Sequence, residues 1–181
     1  LAMSNDPFTC LGFEPRFDLA PDAIRLKAVR AAARLHPDRA SDPVDARRRS
    51  QELSAMNEAA AELEDDEKRA NALLNVLGGP SASEDRSLPD GFLEEMLEVR
   101  MDLESVIAEG DESGRIRLSE WAVDQRSMYK AKVGDLFGDP GAPLDEKVRA
   151  DIRGQLNIWR YIERMIEQLN PEDRSDKEVP D

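Results

Sequence analysis

One histidine and one cysteine set much of what this chain can do chemically. His36 is followed by Pro37 and Asp38 in the stretch RLHPDRA. Imidazole titrates near neutral pH and a carboxylate two residues on can orient it, so the tripeptide is a candidate general base with its orienting acid. Geometry weighs against that use, because a base needs a pocket beside it and the tripeptide falls at the convex tip between two helical stretches. A plain turn, with Pro37 fixing the backbone and Asp38 capping the next segment, accounts for two of the three residues and leaves His36 unexplained. A third reading joins the tip to the basic residues around it. Lys27, Arg30 and Arg34 on the preceding helix, with Arg39 just beyond, then form one surface with His36, Pro37 and Asp38 that faces an acidic partner.

The rest of the census removes other chemistries. One Cys and one His build neither an internal disulfide nor a closed zinc site, and Cys10, inside the apolar FTCLGF, reads as a buried thiol and not as a nucleophile. Carboxylate clusters such as ELEDDE and EEMLE lack the loop spacing of a calcium site and read as solvated helix faces. No metal, no cofactor and no catalytic residue is expected. A net charge of −14 opposes binding to nucleic acid. The charge is unevenly shared, however: residues 4–78 hold 11 Lys/Arg against 14 Asp/Glu, and the remainder 14 against 25. No apolar run approaches the roughly 20 residues of a membrane span, and the N-terminus lacks a signal-peptide pattern. A cytoplasmic protein is expected, with Leu1 and Ala2, ahead of Met3, set aside as extraneous.

Helical elements must position these residues. Pro21 suits the first position of a helix, and Ile24, Ala28, Ala31 and Leu35 then recur at four, three and four, which predicts a helix over 21–35 with one core stripe. Lys27, Arg30 and Arg34 lie on a second stripe, while Pro37 forces the helix to stop. A second helix is predicted over 44–63 with Leu53, Met56, Ala60 and Leu63 inward, then a short one carrying Leu73, Leu74 and Leu77. GGPSASEDRSLPDG has the composition of a linker. Beyond it the periodicity predicts a three-helix bundle over about 90–109, 115–137 and 143–169. The fold class is all-α: a first domain over 4–78, a linker over 79–90, a bundle over 91–170 and a polar tail over 171–181.

A helix of this pattern ending in His-Pro-Asp, followed by a loop and an antiparallel helix, resembles the J-domain. Further on, Asn57, Glu58, Ala59, Leu63, Arg69, Ala70, Leu73, Leu74 and Gly78, then Phe92, Leu93, Glu95, Leu97, Glu98, Arg100 and Leu103, are similar to the HscB family of iron–sulfur co-chaperones over residues 6–169. Two departures stand out. Ala28 and Leu35 occupy places where the family often has aromatics, and a Cys-rich N-terminal extension is missing.

The resemblance implies an L-shaped co-chaperone that is not an enzyme. Its J-domain would stimulate the ATPase of a DnaK/HscA-type chaperone, a heat shock protein 70, through the tripeptide and the basic helix. The bundle would bind the iron–sulfur scaffold protein (IscU-type) through Leu93, Leu97, Glu98, Arg100 and Ile158. Periodicity alone leaves that second site open. On the helix over 90–109, Leu93 and Leu97 lie about 100° from the core stripe of Phe92, Met96, Val99, Leu103 and Val106. Ile158, Tyr161 and Met165 form a comparable second stripe on the last helix. Either these are docking patches, or a small bundle buries wide faces. A J-protein for another client, and a structural helical module whose tripeptide is a mere turn, are the alternatives.

Overall fold

The computed structural model describes residues 6–36 and 40–170. Seven helices occur among them and no strand: α1 (Pro7–Leu11), α2 (Pro21–Leu35), α3 (Pro43–Glu64), α4 (Asp66–Val76), α5 (Phe92–Glu109), α6 (Glu112–Phe137) and α7 (Glu146–Leu169). Local chemistry explains the boundaries. Proline opens α1, α2 and α3, where its missing N–H costs nothing. Asp42 caps α3 by accepting from the amides of Val44 and Asp45, both at 2.8 Å, and Asp65 caps α4 through the amide of Lys68. α5 ends at Gly110, whose φ of 66° lies in the left-handed region that closes helices.

The chain divides into two compact units. Residues up to Gly79 form the first together with Phe137–Asp145, and Pro80–Leu136 with the chain from Glu146 form the second. In the first, α3 packs on α1, α2 and α4. Phe8, Ile24, Leu63 and Leu74 are fully enclosed there, among small residues at Ala31, Ala59, Ala60 and Ala70. Phe137 joins this unit with its ring 5.8 Å from that of Phe17. The periodicity had assigned all of 91–170 to one bundle, with no sign that Phe137–Asp145 would belong elsewhere.

One polar residue sits within the first unit's core. Arg69 is 4% exposed, and its guanidinium donates Nε to the carbonyl of Phe17 at 2.9 Å, Nη1 to the carbonyl of Leu63 at 2.5 Å and Nη2 to Asp66. Three directions of the planar fork are thus used, and the charge is paired. The guanidinium also lies 5.3 Å from the Phe17 ring centroid.

The second unit centres on Leu103, Ala122, Ile162, Met165, Ile166 and Leu169, with Val99, Leu118, Trp121, Tyr129 and Tyr161 packed against them. Arg126 of α6 meets Glu163 of α7 through two bonds of 2.7 Å, and Trp159 Nε1 donates to the same carboxylate at 2.8 Å. Asn157 of α7 donates to the carbonyls of Asp85 at 3.3 Å and Ser87 at 2.9 Å. The stretch read as a linker is therefore held against α7. The proposed tail over 171–181 lies outside the described residues.

Replacing Arg69 by Met removes all three bonds; the Phe17 carbonyl keeps the amide of Leu19 at 3.0 Å, while the buried Leu63 carbonyl loses its side-chain donor, at about 1–3 kcal/mol for an unsatisfied group. Urea denaturation of Arg69→Met is expected to show a loss of about 1–3 kcal/mol in the first unit. Arg69→Lys is expected to recover little, since one ammonium nitrogen does not span the three acceptors.

Candidate functional site

α2 keeps one side for the core and turns the other outward. Ile24, Ala31 and Leu35 are buried, and Ala28 is half-buried. Arg30 and Arg34 are exposed. So are Leu26 and Val29, on the side of the helix away from Ile24. These two apolar side chains were not singled out from the sequence, although their helical angle already placed them opposite the core stripe. The outward face of α2 thus sets an apolar strip beside a basic one.

The helix stops with His36 at φ −54° and ψ 128°, the extended conformation that a following proline favours. His36 is exposed. Pro37, Asp38 and Arg39, also expected in this surface, lie outside the described residues. Lys27 is placed differently from its expected role. Its ammonium donates to the carbonyl of Gly12 and sits 3.8 Å from the centroid of the Phe13 ring. The side chain ties the α1–α2 connection to α2, and it is only partly exposed. The outward cations of this helix among the expected set are Arg30 and Arg34.

The start of α3 stands close to the end of α2. Arg49 donates Nη1 to the carbonyl of Arg34 at 3.1 Å and Nε to Asp45 at 2.8 Å. Arg48 reaches the other oxygen of Asp45, and the amide of Ser41 donates to Asp45 at 3.2 Å. Hydrogen bonds from Arg49 and Arg48 hold the Asp45 carboxyl down at about 2.

On α5, Leu93 and Leu97 are 57% and 58% exposed, and Met101, one turn further, is exposed as well. Glu98 and Arg100 are exposed beside them, with Arg100 Nε 3.2 Å from Glu104. Four of the expected scaffold-facing residues therefore share one helix surface. Ile158 does not join it as an accessible side chain, being 4% exposed. The stripe to which it was assigned is buried too: Met165 belongs to the bundle core, and the Tyr161 ring packs edge-on to Phe92 with centroids 5.4 Å apart. On α7 the wide apolar face serves the core.

Cys10 is partly buried with Sγ 3.7 Å from the carbonyl of Ala55, and burial pushes its thiol pKa up, away from the reactive thiolate. Among the described residues no group of three or more His, Cys, Asp or Glu is placed to hold a metal ion. None of their helices is long and apolar enough to cross a membrane.

Comparison with known proteins follows the same lines. The co-chaperone protein HscB homolog of Bordetella petrii is 26% identical over 170 residues, spanning 92% of this chain and 95% of that one. Its counterpart in Bordetella avium is 28% identical over 171 residues, spanning 92% and 96%. Chaperone HscB from Vibrio cholerae matches the structure with a TM-score of 0.75 at 20% identity, over 94% of this chain and 98% of that one. Human co-chaperone HscB matches with a TM-score of 0.76 at 15% identity, over 94% and 83%. No family model matches the chain. The order of helices is the fold of these HscB structures, and His36-Pro37-Asp38 follows α2 in the sequence. Sequence and fold together support an HscB-type co-chaperone.

Asp45 supplies a pH test of the α2–α3 junction. Its pKa is lower in the folded chain than the usual 3.9 or so, so its contribution is present above that value and is lost as pH falls towards about 2. Carboxyl NMR titration is expected to find Asp45 ionised at pH 3, with the Ser41 amide shift moving in step only below it. A midpoint near 4 would contradict the observed bonding.

Proposed function

We propose that this chain is a cytoplasmic co-chaperone of iron–sulfur cluster biogenesis, acting on an ATPase that belongs to another protein. Its first unit engages a DnaK/HscA-type chaperone through His36, Pro37 and Asp38 and the outward face of α2, and stimulates ATP hydrolysis there. Its second unit delivers the iron–sulfur scaffold protein, docked on Leu93, Leu97, Glu98 and Arg100 of α5. The carrying observation is the exposure of His36 at the end of a helix whose outer side presents Arg30 and Arg34 while its inner side is core. A histidine used for packing would be covered, and one used as a base would stand in a pocket. The names of the Bordetella relatives support the co-chaperone role.

Cations flanked by Leu26 and Val29 suit a partner that is acidic with an apolar spot, where charge speeds encounter and apolar burial holds the complex. The α5 surface has the complementary make-up for a client: two exposed leucines with a carboxylate and a guanidinium at the rim. Carrying both surfaces on one chain raises the effective concentration of client at the ATPase.

Steady-state ATPase of the partner chaperone tests the first half. His36→Gln is expected to lose stimulation at equal concentration by roughly 30-fold, the scale of a contact hot spot of about 2 kcal/mol, with an unchanged melting temperature. Equal stimulation by wild type and variant would remove the reading. For the second half, Leu93→Ala combined with Leu97→Ala is expected to weaken scaffold binding about tenfold or more, as measured by calorimetry, while ATPase stimulation without client stays at the wild-type level. Unaltered scaffold affinity would sink the α5 docking surface.

A further inference from the structure

We propose that Arg49 and Asp45, at the start of α3, are positioning residues that hold the end of α2 carrying His36 against the chain that re-enters α3 at Ser41. This rests on the reading that His36 makes the contact with the chaperone. Arg34 lies in the last turn of α2, where a carbonyl has no partner within the helix. Arg49 Nη1 supplies one at 3.1 Å. The same guanidinium donates Nε to Asp45 Oδ2 at 2.8 Å, and that oxygen also accepts from the backbone of Ser41 at 3.2 Å. A continuous relay thus runs from the last turn of α2, through two α3 side chains, to the backbone just before α3.

Two further contacts steady the relay from its own side. Arg48 occupies Asp45 Oδ1 while reaching Glu52 with its other nitrogen at 2.6 Å, and Asp42 binds Ser41 Oγ while capping α3. The positive charge of Arg49 also faces the negative end of α2. The Arg49 and Asp45 side chains are part-buried, at 22% and 16% exposure, and a pair this near the surface makes a modest contribution to overall stability. Their effect lies elsewhere: His36 is two residues from the carbonyl that Arg49 holds, so the relay limits the directions the imidazole can take. If only a fraction of conformers presents His36 correctly, apparent affinity falls by that fraction.

Arg49→Met removes both bonds, Arg49→Lys keeps the charge but reaches one acceptor at a time, and Arg47→Met deletes an equal charge from the same turn outside the relay. Arg49→Met is expected to speed hydrogen exchange at the Ser41 amide and shift the His36 ring resonances. It is also expected to raise the concentration for half-maximal ATPase stimulation about fivefold, with the maximum and the melting temperature near wild type. Arg49→Lys is expected to fall between the two, and Arg47→Met to match wild type in exchange and ring shifts. The proposal is overturned if Arg49→Met leaves Ser41 exchange and the His36 ring unchanged, or if Arg47→Met loses as much potency as Arg49→Met. Should the wild-type chain fail to stimulate any chaperone, the functional reading falls by itself, and the exchange and ring measurements still decide whether the relay exists.

Discussion

A proline after His36 is the constraint on which the proposed contact surface of the first unit depends. The pyrrolidine ring disfavours helical backbone in the residue before it, and His36 accordingly leaves α2 in extended geometry. Three consequences follow from that one steric fact. The helix ends while its outward face is still basic, its last carbonyls need donors from elsewhere, and His36 is carried away from the core that covers Leu35. Continuing α2 by another turn would satisfy the carbonyl of Arg34 internally. The bond from Arg49 would then have no purpose.

Stability is obtained in different ways in the two units. The first is packed around alanines on α2, α3 and α4, so its helices approach closely but bury modest area per residue. Arg69 supplies what small side chains lack, a rigid fork that joins α4 to the carbonyls of Phe17 and Leu63. Such a residue gives specificity of placement more than net free energy, because its desolvation offsets much of the gain. The second unit uses larger side chains, with Trp159 enclosed and its indole N–H bound to Glu163, and it too buries an arginine, Arg153, whose Nε donates to Asn157 Oδ1 at 2.9 Å.

Periodicity carried the helices well. α2 runs over the expected 21–35, and α3, α5, α6 and α7 each begin and end within about three residues of their predicted limits. It carried surfaces less well, for a physical reason: spacing gives a residue's angle about the helix axis and not what lies at that angle. Leu93 and Ile158 both sat about one residue's turn away from a core stripe; one proved exposed and the other covered. Lys27 shared the basic stripe of Arg30 and Arg34, yet its long stem allowed the ammonium to reach Gly12 and Phe13. The docking of the Gly/Pro/Ser-rich stretch on Asn157 arises from backbone carbonyls, which composition does not reveal. Arg69 entered only through resemblance, since a lone arginine in a polar run gives no sign that it will be buried.

The residues assigned to partner contact and those that hold the fold scarcely overlap. Arg30, Arg34, His36, Leu93, Leu97, Glu98 and Arg100 are all exposed, so each can change with small effect on the packed core. The fold, in contrast, rests on Arg69, the capping aspartates and the apolar stripes. This separation lets a chain under 30% identical to these relatives keep one architecture while its exposed residues vary. It also explains why Lys27 and Ile158 are the two residues whose expected roles changed. Lys27 had been placed on a surface by its angle and Ile158 by the family resemblance, and each is engaged in holding the structure together.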